Sequence, residues 1–142
     1  MSSFKRNIPK YKELIDDCLK NILAESNKSA KDLGNAMTYS VMNGGKRIRP
    51  LMMLASAKTL DIDIQHVIPF SASIELLHSF SLIHDDLPCM DDDSLRRGQP
   101  TTHIRFGEAT ATLAADSLQS LAFEIMARAN FPQSKSSQLE LI

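Results

Sequence analysis

The feature that most constrains the fold is the helical spacing of apolar residues along the chain. Between Tyr11 and Leu23 they recur at intervals of three and four, which places them on one face of an amphipathic helix. These residues are Leu14, Ile15, Cys18, Leu19, Ile22 and Leu23. Runs that alternate apolar and polar residues, as half-buried strands do, are missing, and only 5 of the 142 residues are glycine. The pattern therefore predicts an all-α protein.

Four further helices are expected from capping and breaking signals. Ser29 can cap the second helix, and Pro50 can lie in the first turn of the third. The fourth is apolar around much of its circumference, so it should be central and buried. The expected helices run from after Ser29 to about Met42, from Leu51 to about Leu60, from Pro69 to His84, and from Glu108 to about Ala129.

The last residues predict a loop and then a helix that stops. Residues 132–137, Pro-Gln-Ser-Lys-Ser-Ser, are typical of an inter-helix loop, and residues 138–142 predict the start of another helix. We expect one domain over residues 1–142. Because a domain rarely ends inside a helix, the sequence favours truncation of a longer protein.

The charge balance argues against several classes of function. Lys plus Arg is 16 and Asp plus Glu is 17, so there is no basic excess for nucleic acid or an anionic membrane. No apolar run approaches the ~20 residues of a membrane span, and the N-terminus lacks the core of a signal peptide. Cys18 and Cys89 match no zinc spacing and could pair, but we favour free thiols. These features predict a soluble, cytoplasmic protein.

Five carboxylates fall within nine residues at the end of the fourth helix. They are Asp85, Asp86, Asp91, Asp92 and Asp93. A solvated acidic loop would explain them, but carboxylates are also the ligands of magnesium that bridges to phosphates. Asp85 and Asp91 are about 120° out of phase on an ideal helix, and Pro88 forbids a regular helix between them. A distorted helix end could bring Asp91 back toward Asp85, so we favour metal binding.

Cations and a histidine accompany the acidic segment. Arg96 and Arg97 follow it closely. They could form salt bridges with the aspartates or bidentate hydrogen bonds with phosphate oxygens. His78 precedes Asp85 by two helical turns and lies on nearly the same face of the helix. It could be a core histidine or a phosphate ligand. Magnesium and arginine gathered together indicate a polyphosphate ligand.

A glycine turn carries a second group of cations. Asn43-Gly44-Gly45 precedes Lys46, Arg47 and Arg49, and glycines allow the backbone to approach a phosphate closely. The segment is not a Walker loop, because the spacing and the Lys-Ser or Lys-Thr pair are missing. By itself an ordinary basic helix cap explains it equally well.

Together these motifs resemble the trans-isoprenyl diphosphate synthases, most nearly the bacterial farnesyl diphosphate synthase type. The matching segments are residues 44–50 (Gly-Gly-Lys-Arg-Ile-Arg-Pro), Glu75-Leu-Leu-His78, residues 81–98 and residues 99–103. The likeness runs from about Tyr11 to Ile142. It implies an all-helical bundle of the isoprenoid synthase type, truncated here, and a homodimer at full length.

The resemblance also implies the chemistry and the site. It implies an enzyme that condenses isopentenyl diphosphate with dimethylallyl or geranyl diphosphate, giving farnesyl diphosphate and pyrophosphate with the help of Mg²⁺. The implied metal ligands are Asp85, Asp86 and Asp91, and Arg96 would contact the allylic diphosphate, so that Asp85, Asp91 and Arg96 are the catalytic set. The implied isopentenyl diphosphate contacts are Gly45, Lys46, Arg49, His78 and Arg97. Phe80 and Ser81 would line the cavity floor and limit the product length.

The sequence also departs from the family pattern. The family's second aspartate-rich motif and its later lysines lie beyond Ile142, so we expect the 142 residues to be inactive alone. Ala115 stands where many relatives carry glycine, which is a mild packing change. The alternatives are a geranylgeranyl diphosphate synthase, a terpene cyclase, a non-catalytic subunit of a heteromeric synthase and a structural helical protein.

Overall fold

The computed structural model describes residues 3–26, 30–130, 138 and 140. In this part of the chain, six α-helices and one short β-hairpin form. They are α1 (Ser3–Ser26), α2 (Lys31–Met42), α3 (Ile48–Thr59), α4 (Ile64–Asp85), β1 (Leu95–Arg96), β2 (Gln99–Pro100), α5 (Thr102–Phe106) and α6 (Glu108–Arg128). The prediction of a helical bundle is confirmed.

The central helix is α4, which packs along α6 and α3 and also contacts α1 and α2. The largest side chains of the core are buried between these helices, each contributing about 1.5–3 kcal/mol by its transfer from water. They include Ile15, Leu19, Leu23, Val41, Leu54, Leu76, Ile83 and Leu118. On α6, the small side chains of Ala111, Ala114 and Ala115 are fully buried, which lets α6 lie close to its neighbours.

By length and composition, α4 is also the one helix among the described residues that could cross a membrane. Its most apolar window has a mean hydropathy of 1.2, but half of that window is buried inside the protein. The core helix of a soluble protein meets the same criterion. Burial agrees with the predicted central position of α4.

Two helices, α1 and α4, contain a proline beyond their first turn, and both begin earlier than the sequence predicts. Pro9 lies inside α1, and Pro69 lies inside α4 and does not start it. The start of α4 is set by Asp63, whose side chain accepts a hydrogen bond from the Gln65 backbone N–H at 3.0 Å. Tertiary packing of the apolar face therefore outweighs the hydrogen bond that each proline removes.

The hairpin and α5 are absent from the sequence prediction. Two residues in each strand are too few to show alternation, and the pairing is Leu95 with Pro100 and Arg96 with Gln99. The turn needs positive φ at both central residues, and these are Arg97 (φ 55°) and Gly98 (φ 77°). Arginine is not the usual residue at that position, so the turn signal was weak.

The remaining expectations have mixed outcomes. Ser29, predicted as a cap, and the predicted loop 132–137 lie outside the described residues. Gln138 is described, and its amide nitrogen donates to the carbonyls of Met126 and Ala129 at the end of α6. Cys18 and Cys89 are free thiols as expected, and burial raises the pKa of Cys18.

Candidate functional site

The turn between α2 and α3 opens onto a cavity of about 550 Å³, which α4 and the hairpin also line. The five residues that the resemblance implied as isopentenyl diphosphate contacts all line it. They are Gly45, Lys46, Arg49, His78 and Arg97. Three different parts of the chain are thus brought to one place, although the roles of these residues stay predictions.

The backbone of the turn is held in conformations that favour glycine. Gly44 has φ 76° and Gly45 has φ 129°. A Cβ at Gly45 would lie 3.0–3.2 Å from the guanidinium atoms of Arg97, whereas a Cβ at Gly44 would meet nothing within 4 Å. Glycine is therefore favoured at position 45 for two reasons: the positive φ, and the close approach of the Arg97 side chain.

Arg97 ties the hairpin to this turn. Its Nη1 donates to the Gly44 carbonyl and also lies 3.5 Å from the Asn43 carbonyl. The residue is open to solvent on one side, but its guanidinium packs on the glycine turn. Burial, followed by the nearby Arg47 charge, lowers the pKa of Arg97, and Glu75 partly opposes this shift.

Lys46 and Arg49 carry the free positive charge of the cavity. Both are exposed, and neither forms a hydrogen bond or salt bridge with any residue that the structure describes. Burial and then the Arg49 charge lower the pKa of His78, with Glu75 opposing. The imidazole is therefore mostly neutral at pH 7 and can donate one hydrogen bond.

Arg47 also lines the cavity, although the sequence analysis assigned it no role in the site. Its side chain is only 3% exposed, and each of its three nitrogens donates a hydrogen bond. Nε donates to Asp16 Oδ1 at 2.8 Å, Nη1 to Glu75 Oε1 at 2.9 Å and Nη2 to the Val41 carbonyl at 3.0 Å. The available signal was Glu75, a carboxylate within an otherwise apolar helix, which implied a buried cationic partner.

The acidic segment forms a distorted helix end, as predicted. After α4 ends at Asp85, the chain turns so that the Asp91 backbone N–H donates to the Asp85 carbonyl at 2.9 Å. Asp85 is half-buried, and Asp91 is exposed together with the two aspartates that follow it. The backbone of Asp91 is thus carried back beside that of Asp85, although five residues lie between them.

Asp86 is placed differently from its two neighbours. It is buried, and its two carboxylate oxygens accept from Arg96 Nε at 2.8 and 2.9 Å, with Nη2 at 2.5 Å from Oδ1. This bonding raises the pKa of Arg96. The salt-bridge alternative is therefore realised for Arg96, and Asp86 has little capacity left for a metal.

The carboxylates of the acidic end are the candidate donors for a magnesium ion. Among the described residues, no three His, Cys, Asp or Glu side chains are grouped closely enough to hold a metal. Asp85 and Asp91 remain, and magnesium is commonly held by one or two carboxylates, with waters and substrate phosphates completing its shell. The predicted ligands Asp85, Asp86 and Asp91 therefore stay predictions, with Asp86 already bonded to Arg96.

Phe80 and Ser81 lie on α4 between the cavity and the acidic end. Phe80 is half-buried against the core, and its ring meets the His84 ring edge-on with centroids 4.8 Å apart. The Ser81 hydroxyl donates to the His78 carbonyl at 2.9 Å. Their role in product length stays a prediction.

This helical fold, with a cationic cavity beside an acidic helix end, is the isoprenoid synthase fold. The chain belongs to the Polyprenyl synthetase family, whose profile matches residues 30–142.

Two curated relatives and one solved structure illustrate the similarity. The farnesyl diphosphate synthase of Haemophilus influenzae is 55% identical over 93 residues, covering 66% of this chain and 32% of that protein. The geranylgeranyl diphosphate synthase of Cyanophora paradoxa is 41% identical over 131 residues, covering 92% and 42%. The FPP/GFPP synthase of Zymomonas mobilis superposes with a TM-score of 0.90 at 38% identity, covering 97% and 50%. The chain spans less than half the length of these curated relatives.

Proposed function

We propose that the chain provides the isopentenyl diphosphate pocket and part of the metal site of a prenyl-transferring synthase. One observation carries the proposal: Gly45, Lys46, Arg49, His78 and Arg97, from three separate segments, line one cavity. A diphosphate carries several negative charges and needs convergent cations and backbone donors.

The charges of the cavity support a dianionic ligand. Lys46 and Arg49 have no partner among the described side chains, and Arg97 bonds only to backbone carbonyls there. Glu75, the carboxylate of the cavity wall, is already paired with Arg47. The uncompensated charge of the cavity is therefore positive. Because the cavity is open to solvent, the isopentenyl tail of the ligand would be able to extend out of it.

The reaction that fits is prenyl transfer. The C–O bond of an allylic diphosphate breaks and pyrophosphate leaves, and the double bond of isopentenyl diphosphate attacks the resulting carbocation. A proton then passes to an oxygen of the pyrophosphate as the new double bond forms. Arg96, which is bonded to Asp86 through Nε and Nη2, would hold the allylic diphosphate through its remaining nitrogen, and the apolar helices would exclude water. Asp85 and Asp91 would hold magnesium, which when bound stabilises the negative charge of the departing pyrophosphate.

The finer assignment is a farnesyl product, with Phe80 limiting the length of the growing tail. The similarity to a farnesyl diphosphate synthase from Haemophilus influenzae supports it. The similarity to a geranylgeranyl diphosphate synthase favours the longer product as the second candidate. Cytoplasmic location and homodimeric assembly are further proposals for the protein as a whole.

Calorimetric titration of the chain with isopentenyl diphosphate tests the proposal. Lys46→Ala and Arg49→Ala should each weaken binding about tenfold, because each removes a charge-assisted contact. Lys58→Ala is the matched control, since Lys58 is an exposed cation in the last turn of α3, outside the cavity. Absence of binding by the folded chain, or an equal loss in Lys58→Ala, would contradict the assignment.

A further inference from the structure

We propose that Arg47 is the positioning residue of the cavity, fixing Lys46, Arg49 and His78 relative to one another without itself binding the ligand. This inference rests on the proposed function, because it concerns the same diphosphate pocket. The side chain of Arg47 lies at the back of the cavity and joins three helical elements.

The three hydrogen bonds of Arg47 connect the glycine turn to three helices, of which α4 lines the cavity through Glu75 and His78. Asp16 belongs to α1, the Val41 carbonyl to the last turn of α2, and Glu75 to α4. Glu75 lies three residues before His78, so the two are neighbours on α4. The bond between Arg47 and Glu75 therefore sets the distance between the glycine turn and the helix that carries His78.

The main chain of Arg47 is fixed as firmly as its side chain. Its φ is 53°, in the left-handed region that non-glycine residues seldom adopt, and it is the N-terminal cap of α3. Such a conformation persists only where surrounding contacts determine it. Because Lys46 precedes Arg47 and Arg49 follows in the first turn of α3, the conformation of Arg47 sets the positions from which both cations extend.

The burial of Arg47 separates its role from that of its neighbours. Arg47 is 4% exposed, whereas Lys46 and Arg49 are exposed. Asp16 and Glu75 bring two carboxylates to its one guanidinium, so the positive charge of Arg47 is already compensated within the protein. In the sequence Lys46-Arg47-Ile48-Arg49, three similar cations thus divide into two that face the cavity and one that supports them.

The inference can be separated from a simple loss of stability. Arg47→Gln removes the positive charge and most of the hydrogen-bond donors of the guanidinium, and it leaves Glu75 buried without its cation. Leu118→Ala is the matched control, because Leu118 is fully buried on α6 and outside the cavity. Both variants should lower the thermal unfolding midpoint. At a temperature where circular dichroism shows both to be folded, only Arg47→Gln should weaken the binding of inorganic pyrophosphate, by about tenfold.

A double-mutant cycle distinguishes positioning from direct binding. If Arg47 acts through Lys46, the variant Arg47→Gln with Lys46→Ala should lose much less than the product of the two single effects. Independent effects, giving about a hundredfold loss in the double variant, would show that Arg47 contacts the ligand itself and would overturn the inference. Unchanged affinity in Arg47→Gln would overturn it as well.

A milder variant keeps the inference testable if Arg47→Gln does not fold. Asp16 is the outermost partner, with its side chain 34% exposed, so Asp16→Asn should fold and weaken pyrophosphate binding about threefold. Wild-type affinity in Asp16→Asn would then refute positioning by Arg47. If the unmutated chain binds neither pyrophosphate nor isopentenyl diphosphate, the proposed function fails first. If it binds both and the Arg47 and Asp16 variants bind as tightly, only this inference fails.

Discussion

The glycine turn and the acidic end of α4 both point to diphosphate chemistry, but they differ in how far they are assembled. At the turn, Arg47 is bonded to Glu75 and Arg97 is bonded to the Gly44 carbonyl, while Lys46 and Arg49 have no partner among the described residues. At the acidic end, Asp86 is occupied by Arg96, and the free carboxylates are mostly exposed. Under the proposed function, the first site would be preorganised by these residues, whereas the second would need magnesium and substrate phosphates to complete it.

The largest expected effect comes from breaking the contact between Arg97 and the glycine turn. Gly45→Ala should weaken isopentenyl diphosphate binding about tenfold to a hundredfold, because the new Cβ would displace the Arg97 guanidinium. Gly44→Ala is the control, since it strains a positive φ at a cost of about 1–2 kcal/mol but meets no neighbouring atom. Titration calorimetry and thermal unfolding of both variants measure the two effects. Equal losses of affinity would show that Arg97 does not depend on Gly45.

A second pair of variants compares the carboxylates of the acidic end. Asp91→Asn should leave stability within about 0.5 kcal/mol of the unmutated chain, because the side chain is exposed. It should remove most of the gain in pyrophosphate affinity, about tenfold, that magnesium chloride gives the unmutated chain. Asp86→Asn should do the opposite, lowering stability by about 1 kcal/mol through the weakened Arg96 pair while keeping the magnesium effect. The reverse pattern would assign the metal to Asp86.

The smallest effect concerns the pH dependence of the cavity. The pKa of His78 is lower in the folded protein than in the unfolded chain, so the folded protein binds fewer protons. The associated stability is fully present above about pH 6.5, the ordinary histidine value, and is lost as pH falls through the lowered folded-state pKa. A bound diphosphate favours the imidazolium, so affinity should rise a few-fold from about pH 8 to about pH 6. His78→Gln should reduce that rise, and an identical profile in this variant would remove His78 from the ligand contacts.

The sequence predicted the long helices because each buries a continuous apolar stripe, and α6 begins at Glu108 as expected. It failed where a local signal competed with packing: Pro69 looked like a helix start, yet Asp63 caps α4. The hairpin at Arg97 was too short to leave a periodic pattern. The positions of the helices therefore follow from apolar periodicity. Their ends depend on contacts that helix propensity does not predict.

The residues of the candidate site also differ in whether the sequence could predict them. Residues that would meet a ligand were found because their chemistry is conspicuous in the sequence, as with Lys46 and Arg49. The hydrogen bonds from Arg47 to Asp16 and Glu75 were not predicted, because Arg47 is 31 residues from Asp16 and 28 from Glu75 in the sequence. A buried pair so distant in sequence is recognised only when the helices are assembled.

The most direct test of the central claim is a crystal structure of the chain with isopentenyl diphosphate and magnesium. The account predicts the diphosphate in the cavity of the glycine turn, within hydrogen-bond distance of Lys46 and Arg49, with Arg47 still bonded to Glu75 and Asp16. A diphosphate bound only at Asp85 and Asp91, with the cavity of the glycine turn empty, would contradict it.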